Sequence, residues 1–364
     1  MSNNEFDFRT LPRDYGDVRA EARSCRSAAA LFDFSFMRRI GVRGPRSNAL
    51  VQTLTPRRID DLMPGRIRYA LCVGVDGRVL GDITIWRLDG ETFEVFAASG
   101  DAFAQLPAAA GSTTSVCDLS EDTAIFAVQG PSSLRALAGV ASTAQLRTLP
   151  YFGHVQESIA GVACRVGRLG YTGERGFEII LPRDAGDAIW AMLARQARPA
   201  GFAAADILRI EAGFPLFANE FLFSVSAAEL GLARFAAEPD APGGPTCAQR
   251  AHPVRLASFQ AQCDCEPILW RPARDAAFPP APGGLLVTSA CRSIITGAVL
   301  GLGYACDAHG AAHLFDPTGQ FRDIQEVSLP FYDKYKRRPR GGWRDDLSPD
   351  DLSSNVAGAH HSFD

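Results

Sequence analysis

The sequence has no apolar run that approaches the ~20 residues needed to span a lipid bilayer. Residues 1–13 are polar and acidic and lack the apolar core of a signal peptide. The formal net charge is only −4, so the chain lacks the basic excess typical of proteins that bind nucleic acids or anionic membranes. These absences predict a cytoplasmic protein that binds neither nucleic acid nor membrane.

The cysteines lack the pattern of a disulfide framework. They are nine in number and scattered, and disulfides are rare in cytosolic proteins. Cys263 and Cys265 form a C-x-C pair, the one pair that could bind a metal ion. Neither a second pair nor a nearby histidine completes the tetrahedral ligand set of a zinc site, so the sequence predicts no metal site.

Three β-rich runs, at 69–75, 78–88 and 92–98, are joined by Asp76-Gly77 and Asp89-Gly90. Asp-Gly between β-forming runs indicates a hairpin, because both residues tolerate the positive φ of a type I′ turn. The sequence therefore predicts two consecutive hairpins. With 364 residues and 46% apolar content, the chain is long enough for two or three domains.

Asp82 lies in the middle of the second of these runs. Because side chains alternate along a strand, Asp82 shares a face with Leu80, Thr84 and Trp86, and aspartate is depleted in strands. Either this face is solvated, as on an edge strand, or the carboxylate points into a pocket. The alternation alone leaves both interpretations open.

The order strand, Gly-Pro, helix occurs twice, at 39–54 and 124–137, which indicates two similar α/β units. Composition shifts to Pro, Gly and Ala at 238–245, where we expect a domain boundary. Short strands and turns at 250–332 predict a small β-barrel or sandwich. Residues 336–364 are polar with few apolar residues and predict a disordered tail.

Residues 170–178 contain three glycines and two glutamates. The spacing is not that of a phosphate-binding loop. Glu178 alternates with Phe177 and Ile179 at the start of an apolar strand. Facing a cavity, its carboxylate would suit the N–H groups of a flat heterocycle; the alternative is a turn whose glutamates are solvated.

Residues 171–179 closely resemble the run Y-T-G-E-x-G-F-E-[IL] of the glycine-cleavage T-protein (aminomethyltransferase) family. Further matches follow in family order: 31–35 is similar to L-F-D-x-S, 77–82 to G-G-x-x-D-D, 129–131 to Q-G-P, 208–213 to L-R-L-E-A-G, and 329–331 to x-P-F. The resemblance covers about residues 20–335.

This resemblance implies an α+β fold, a three-domain ring with tetrahydrofolate in its central opening. Residues 1–240 would form two interleaved α/β units with antiparallel sheets, with the hairpin unit at about 39–110. Residues 250–335 would form a C-terminal β-barrel, and 336–364 the tail.

The resemblance also implies roles for individual residues. Asp82 matches the catalytic aspartate, which would orient the nucleophilic folate nitrogen and relay its proton. Glu178 matches the glutamate that holds the pterin ring, and Tyr69 and Tyr171 match aromatic positions lining the folate site. The family match assigns two further residues to the folate site, Glu174 and Arg209.

The chain departs from the family pattern at Gly81, Phe36, Ala97 and Ala205, where the first aspartate, a histidine, an asparagine and an arginine are usual. We therefore expect a divergent tetrahydrofolate-dependent one-carbon transferase or demethylase acting on a small donor. The alternatives are a non-catalytic folate-binding protein and the folate-handling subunit of an amine oxidoreductase. A lipoyl carrier or a flavoprotein is a possible partner.

Overall fold

The computed structural model describes residues 10–98, 100–103, 106, 113–236, 253–273, 275–307 and 314–343. Over these residues the chain forms three largely antiparallel sheets of five, six and four strands. None of the helices described is long and apolar enough to cross a membrane.

Short helices connect and cover these sheets. The α-helices are α1 (Val18–Ser27), α2 (Ser47–Gln52), α3 (Ser133–Leu137), α4 (Ala144–Thr148), α5 (Gly186–Leu193), α6 (Phe202–Glu211) and α7 (Arg337–Arg340). The strands are β1 (Ala30–Asp33), β2 (Arg38–Arg43), β3 (Arg66–Val73), β4 (Val79–Arg87), β5 (Thr92–Ala97), β6 (Ser115–Asp118), β7 (Thr123–Gln129), β8 (His154–Ile159), β9 (Val162–Gly167), β10 (Gly176–Pro182), β11 (Arg198–Pro199), β12 (Val254–Gln262), β13 (Leu285–Arg292), β14 (Val299–Cys306) and β15 (Arg322–Glu326).

The five-stranded sheet has the order β3-β4-β5-β2-β6 and contains both predicted hairpins. The turns are not the predicted type I′, which needs positive φ at both central residues. Gly77 has a φ of 80°, whereas Asp76 and Asp89 keep negative φ. Both connections are longer than two residues: the amide of Gly74 bonds to the carbonyl of Arg78 in the first hairpin, and longer loops relax the requirement for primed turns.

The six-stranded sheet has the order β11-β1-β7-β10-β9-β8. Its strand β1 precedes the whole five-stranded sheet in the chain, so the two α/β units are interleaved. Strands β7 and β10 form the centre, and every residue of β7 is buried. One face packs on α1 and α6, and the other packs on α3 and α5.

The C-terminal unit is an open four-stranded antiparallel sheet of order β13-β14-β12-β15. The described residues form no closed barrel, so the prediction of a β-barrel is wrong. The edge strands β13 and β15 do not pair with each other. β15 has only five residues, and its pairing with β12 is interrupted by a bulge. The domain boundary predicted at 238–245 lies outside the described residues.

The start of the predicted disordered tail is also wrong, because residues 336–343 pack on the protein. Trp343 stacks on Phe177 with ring centroids 5.0 Å apart, and the guanidinium of Arg175 donates to the carbonyl of Gly342 at 2.6 Å. Few apolar residues are needed when cation–π and backbone contacts hold a segment. The rest of the predicted tail, 344–364, lies outside the described residues.

Each unit contacts both of the others. A β-bridge between Arg66 and Gly153 joins the first sheet to the second, and Leu71 packs with Tyr304 of the third in one buried cluster. Arg209 of α6, which lies on the second sheet, donates to the hydroxyl of Ser289 in β13 at 2.6 Å. This is the contact pattern that a ring of three domains requires.

Candidate functional site

Asp82 lies in the middle of β4, opposite Leu71 of β3. The buried side of β4 holds Val79, Gly81, Ile83 and Ile85, and Asp82 lies on the other side, where it is half-buried. Burial raises the pKa of the Asp82 carboxyl to about 6. Because desolvation causes this shift, the Asp82 carboxyl lies in a partly desolvated region, called the recess.

Tyr69 of β3 donates a hydrogen bond to the Asp82 carboxylate, which partly opposes the rise in the pKa of that carboxyl. Tyr69 pairs with Thr84 across the strands, so its side chain lies diagonally beside Asp82 on one face. Burial, followed by the charge of Asp82, raises the pKa of Tyr69 well above its ordinary value. The phenol therefore stays protonated and acts as a donor.

Tyr171 reaches the same recess from the loop before β10. Burial raises the pKa of Tyr171 well above its ordinary value, and the Asp82 carboxylate adds to this shift. The Tyr171 hydroxyl donates to the carbonyl of Pro215 at 2.6 Å, and the ring stacks on Phe214. The structure thus brings Asp82, Tyr69 and Tyr171 together. Tyr171 is held by the hydrogen bond of its hydroxyl and by the stacking of its ring.

Glu178 lies in β10 between Ala127 of β7 and Gly167 of β9. It is only 8% exposed. No described residue forms a hydrogen bond or ion pair with its carboxylate, and desolvation raises the pKa of Glu178 to about 7. Glu178 is thus a largely buried residue whose carboxylate lacks a donor among the described residues, and its oxygens keep a small solvent-accessible area.

Trp86 connects the two acidic positions. It lies on the same face of β4 as Asp82, four residues or roughly 13 Å along the strand. Its ring packs directly over Gly167, where an added Cβ would lie 2.1 Å from the indole, and Gly167 is the cross-strand partner of Glu178. Asp82 and Glu178 therefore border neighbouring parts of one interior region, between the first and second sheets.

Glu174 is not part of this recess. Its carboxylate accepts hydrogen bonds from the Tyr332 hydroxyl at 2.6 Å, from Arg338 at 3.2 Å and from Arg26 at 3.3 Å. These groups occupy its acceptor positions and tie the C-terminal segment to α1. The structure therefore gives Glu174 a structural role, and its assignment to the folate site is not supported.

Arg209 is also placed in an internal network. It is fully buried and pairs with Asp206 at 2.8 Å and Glu220 at 3.3 Å. It also donates to the carbonyl of Phe214 at 3.1 Å and to Ser289. With its donors engaged in this way, Arg209 fixes α6 against the third sheet rather than offering a free cation to a ligand.

The sequence reasoning missed a cationic group beside the recess. Desolvation, together with Arg234 and Arg340, lowers the pKa of Lys336, so these three charges lie close together. Burial raises the pKa of Tyr151 to about 12, and both Arg340 and Glu178 act on it. A signal exists in the basic run 334–340, with its proline and the tryptophan that follows, but the low apolar content predicts a disordered tail from residue 336 onward.

Three of the four departures from the family pattern lie in apolar surroundings. Phe36 packs edge-on to Phe34 and Phe202, while Ala97 and Ala205 are buried in the core. The fourth departure, Gly81, has open space where a Cβ would project. Within the described part of the chain, no cluster of three or more His, Cys, Asp or Glu residues could hold a metal ion.

Comparison with known proteins agrees with this architecture. The family model described as the GCVT N-terminal domain matches residues 5–238. The aminomethyltransferases of Streptomyces avermitilis and Streptomyces coelicolor are 33% and 31% identical to the chain, and each match covers 90% of this chain and 92% of the relative.

A solved structure has the same fold. The glycine cleavage system aminomethyltransferase T from Bartonella henselae superposes with a TM-score of 0.71 at 23% identity, covering 89% of this chain and 92% of that chain. Fold and sequence together define a transferase of the aminomethyltransferase class. The chain belongs to the GCVT family, whose cofactor is tetrahydrofolate.

Proposed function

We propose that this protein transfers a one-carbon unit, methyl or aminomethyl, from a small donor to tetrahydrofolate held between Asp82 and Glu178. The observation that carries this proposal is the Glu178 carboxylate, which belongs to a residue only 8% exposed and has no hydrogen-bond donor among the described residues. An unpaired buried carboxylate is costly, and a ligand that supplies N–H donors would remove that cost.

The residues present fit this cofactor. The pterin ring carries an amino group and ring N–H groups on one edge, and a carboxylate is the acceptor that suits them. Tyr69 and Tyr171 provide aromatic surface on the side of Asp82. Lys336, Arg234 and Arg340 add cationic charge that suits the anionic part of a folate.

Tetrahydrofolate, when bound, supplies the nitrogen nucleophile that takes up the one-carbon unit. Asp82 has a pKa of about 6 and is therefore mostly ionised at neutral pH. A base with a pKa near the working pH is efficient at taking up a proton in the transition state. Its negative charge, held in a desolvated recess, also stabilises positive charge that develops on the donor carbon.

Tyr69 positions that base. Its hydroxyl donates to one part of the Asp82 carboxylate and leaves further acceptor positions free, because a carboxylate can accept about four hydrogen bonds. Trp86, on the same face of β4, donates a hydrogen bond from its indole N–H to the Thr84 hydroxyl at 3.1 Å. A base held in this way keeps one orientation toward the bound nucleophile.

The experiment that tests this function is the substitution Asp82→Asn. We expect the dissociation constant for tetrahydrofolate to change less than about threefold, while turnover falls by about 10²- to 10⁴-fold, the usual contribution of a general base. Binding is measured by calorimetry. Turnover is measured as methylated folate formed from donors of three classes: a methylated amine, a methyl sulfonium and an aryl methyl ether.

The matched control is Asp76→Asn, which changes an exposed aspartate in the same hairpin and should leave both quantities unchanged. Unchanged turnover in Asp82→Asn would remove this carboxylate from the mechanism. A wild-type protein that binds tetrahydrofolate and transfers nothing from any donor class would instead support the non-catalytic alternative.

A further inference from the structure

Cys263 and Cys265 follow directly after the end of β12, in the third unit, away from Asp82 and Glu178. Their sulfur atoms are 2.7 Å apart. Cys263 is half-buried and Cys265 is exposed, so both thiols are within reach of small solutes. The sulfurs are closer than two independent thiols would approach and are positioned to form a bond.

Ion pairs on both sides hold this turn in shape. Asp264 lies between the two cysteines and makes a two-pronged ion pair with Arg322 of β15, one prong at 2.7 Å. Glu266, which follows Cys265, pairs with Arg292 at 2.7 Å. The turn is therefore fixed against two strands, and the two thiols stay adjacent rather than rotating apart into solvent.

A guanidinium and a shared hydrogen bond lie at the pair. Arg322 lies close enough to Cys263 for the two groups to interact. The hydrogen bond with Cys263, followed by desolvation, raises the pKa of Cys265. Either sulfur can donate in this hydrogen bond, so the two thiols interact directly.

We propose that Cys263 and Cys265 form a thiol–disulfide exchange site whose co-reactant is a small-molecule disulfide. The thiolate form of one of the two cysteines attacks one sulfur of the co-reactant, and the disulfide bond of the co-reactant breaks to release one thiolate. The other cysteine then loses its proton to solvent and attacks the sulfur of the first. A bond forms between the two cysteines and the second thiolate leaves, so two protein thiols are oxidised and one disulfide is reduced to two thiols.

The test uses the full-length protein equilibrated with mixtures of reduced and oxidised glutathione, then alkylated and digested with trypsin. Residues 256–274 carry both cysteines on one peptide. We expect this peptide to lose both alkylation sites together, with mixed glutathione disulfide on less than about a tenth of it, because the second thiol is already in place. In Cys263→Ser and in Cys265→Ser, the remaining cysteine should carry glutathione instead.

Cys117 provides the comparison, because it is also exposed and has no nearby cysteine partner among the described residues. It should accept glutathione in every variant. The proposal is overturned if the 256–274 peptide keeps both thiols alkylatable while Cys117 is modified. It is also overturned if the wild-type peptide carries glutathione on both cysteines, which would show that the two sulfurs react independently.

Discussion

Substituting Glu178→Gln tests whether this carboxylate is kept for a ligand at the expense of stability. The pKa of Glu178 rises from 4.5 to about 7 in the fold, and one pKa unit corresponds to about 1.4 kcal/mol. Ionising Glu178 therefore costs about 3 kcal/mol more in the folded protein than in the unfolded chain. Glutamine has the same shape and carries no charge.

The sign follows from proton binding. Between pH 4.5 and about 7 the folded state binds more protons at Glu178 than the unfolded state does, so its contribution to stability falls as the pH rises. This contribution is complete below pH 4.5 and is lost above pH 7. At pH 8 the ligand-free Glu178→Gln protein should therefore be more stable than the wild type by up to about 3 kcal/mol. At pH 4.5 the two proteins should be nearly equal.

Binding should change in the opposite direction. Hydrogen bonds to a charged group contribute about 1.5–3 kcal/mol, so Glu178→Gln should weaken tetrahydrofolate binding by about 10- to 100-fold at pH 8. Wild-type affinity should rise with pH up to about 7, the pKa of Glu178, because the ligand selects the ionised form. The affinity of the variant should show no such dependence.

Thermal unfolding between pH 4.5 and 8, with and without tetrahydrofolate, measures both effects. Glu121→Gln is the matched control, since Glu121 is an exposed glutamate and its substitution should alter neither profile. Parallel pH profiles for the wild type and Glu178→Gln, together with equal folate affinity, would show that Glu178 is solvated and would refute the reasoning.

Two further predictions concern packing and buried charge. Gly81→Ala should stabilise the protein by about 0.5–1 kcal/mol, since open space lies at the position of the new Cβ. Gly167→Ala should instead lower the melting temperature, because its Cβ would collide with Trp86. Equal melting temperatures for the two variants would contradict this placement of the indole. Glu174→Gln should destabilise the protein by about 2 kcal/mol or more by leaving buried cations without their counter-charge, yet the fraction that stays folded should bind tetrahydrofolate normally, and a selective loss of binding would return Glu174 to the site.

The local features of the site followed from the sequence because they depend on short periods. The side of β4 on which Asp82 projects follows from the two-residue alternation of a strand, and the buried pattern of that strand agrees with it. The same reasoning predicts Glu178 in a strand. Alternation does not identify the residue on the opposite side of the interior. Trp86 contacts Gly167, which lies 81 residues away in the sequence.

Glu174 and Arg209, which the resemblance assigns to the folate site, show the other side of this limit. Glu174 lies within the same matching run as Glu178, and proximity in sequence suggested a shared role. Its partners are instead Tyr332 and Arg338, more than 150 residues away. Arg209 likewise finds its partner Ser289 in another unit. The role of a buried charged residue depends on the group that neutralises its charge. Spacing in the sequence does not identify that group.

The proposed site combines two carboxylates with apolar residues at positions that are polar in the family pattern. Asp82 and Glu178 each keep a raised pKa, and no described basic residue forms an ion pair with either. Around α6 and the segment before β2, by contrast, Phe36 and Ala205 stand where the family pattern has a histidine and an arginine, and both pack into apolar core. The residues proposed to hold the cofactor and relay its proton are therefore present, while polar groups of the family pattern are replaced at Gly81, Phe36, Ala97 and Ala205. Under the proposed function, these replacements favour a one-carbon donor other than the aminomethyl carrier of the glycine-cleavage reaction.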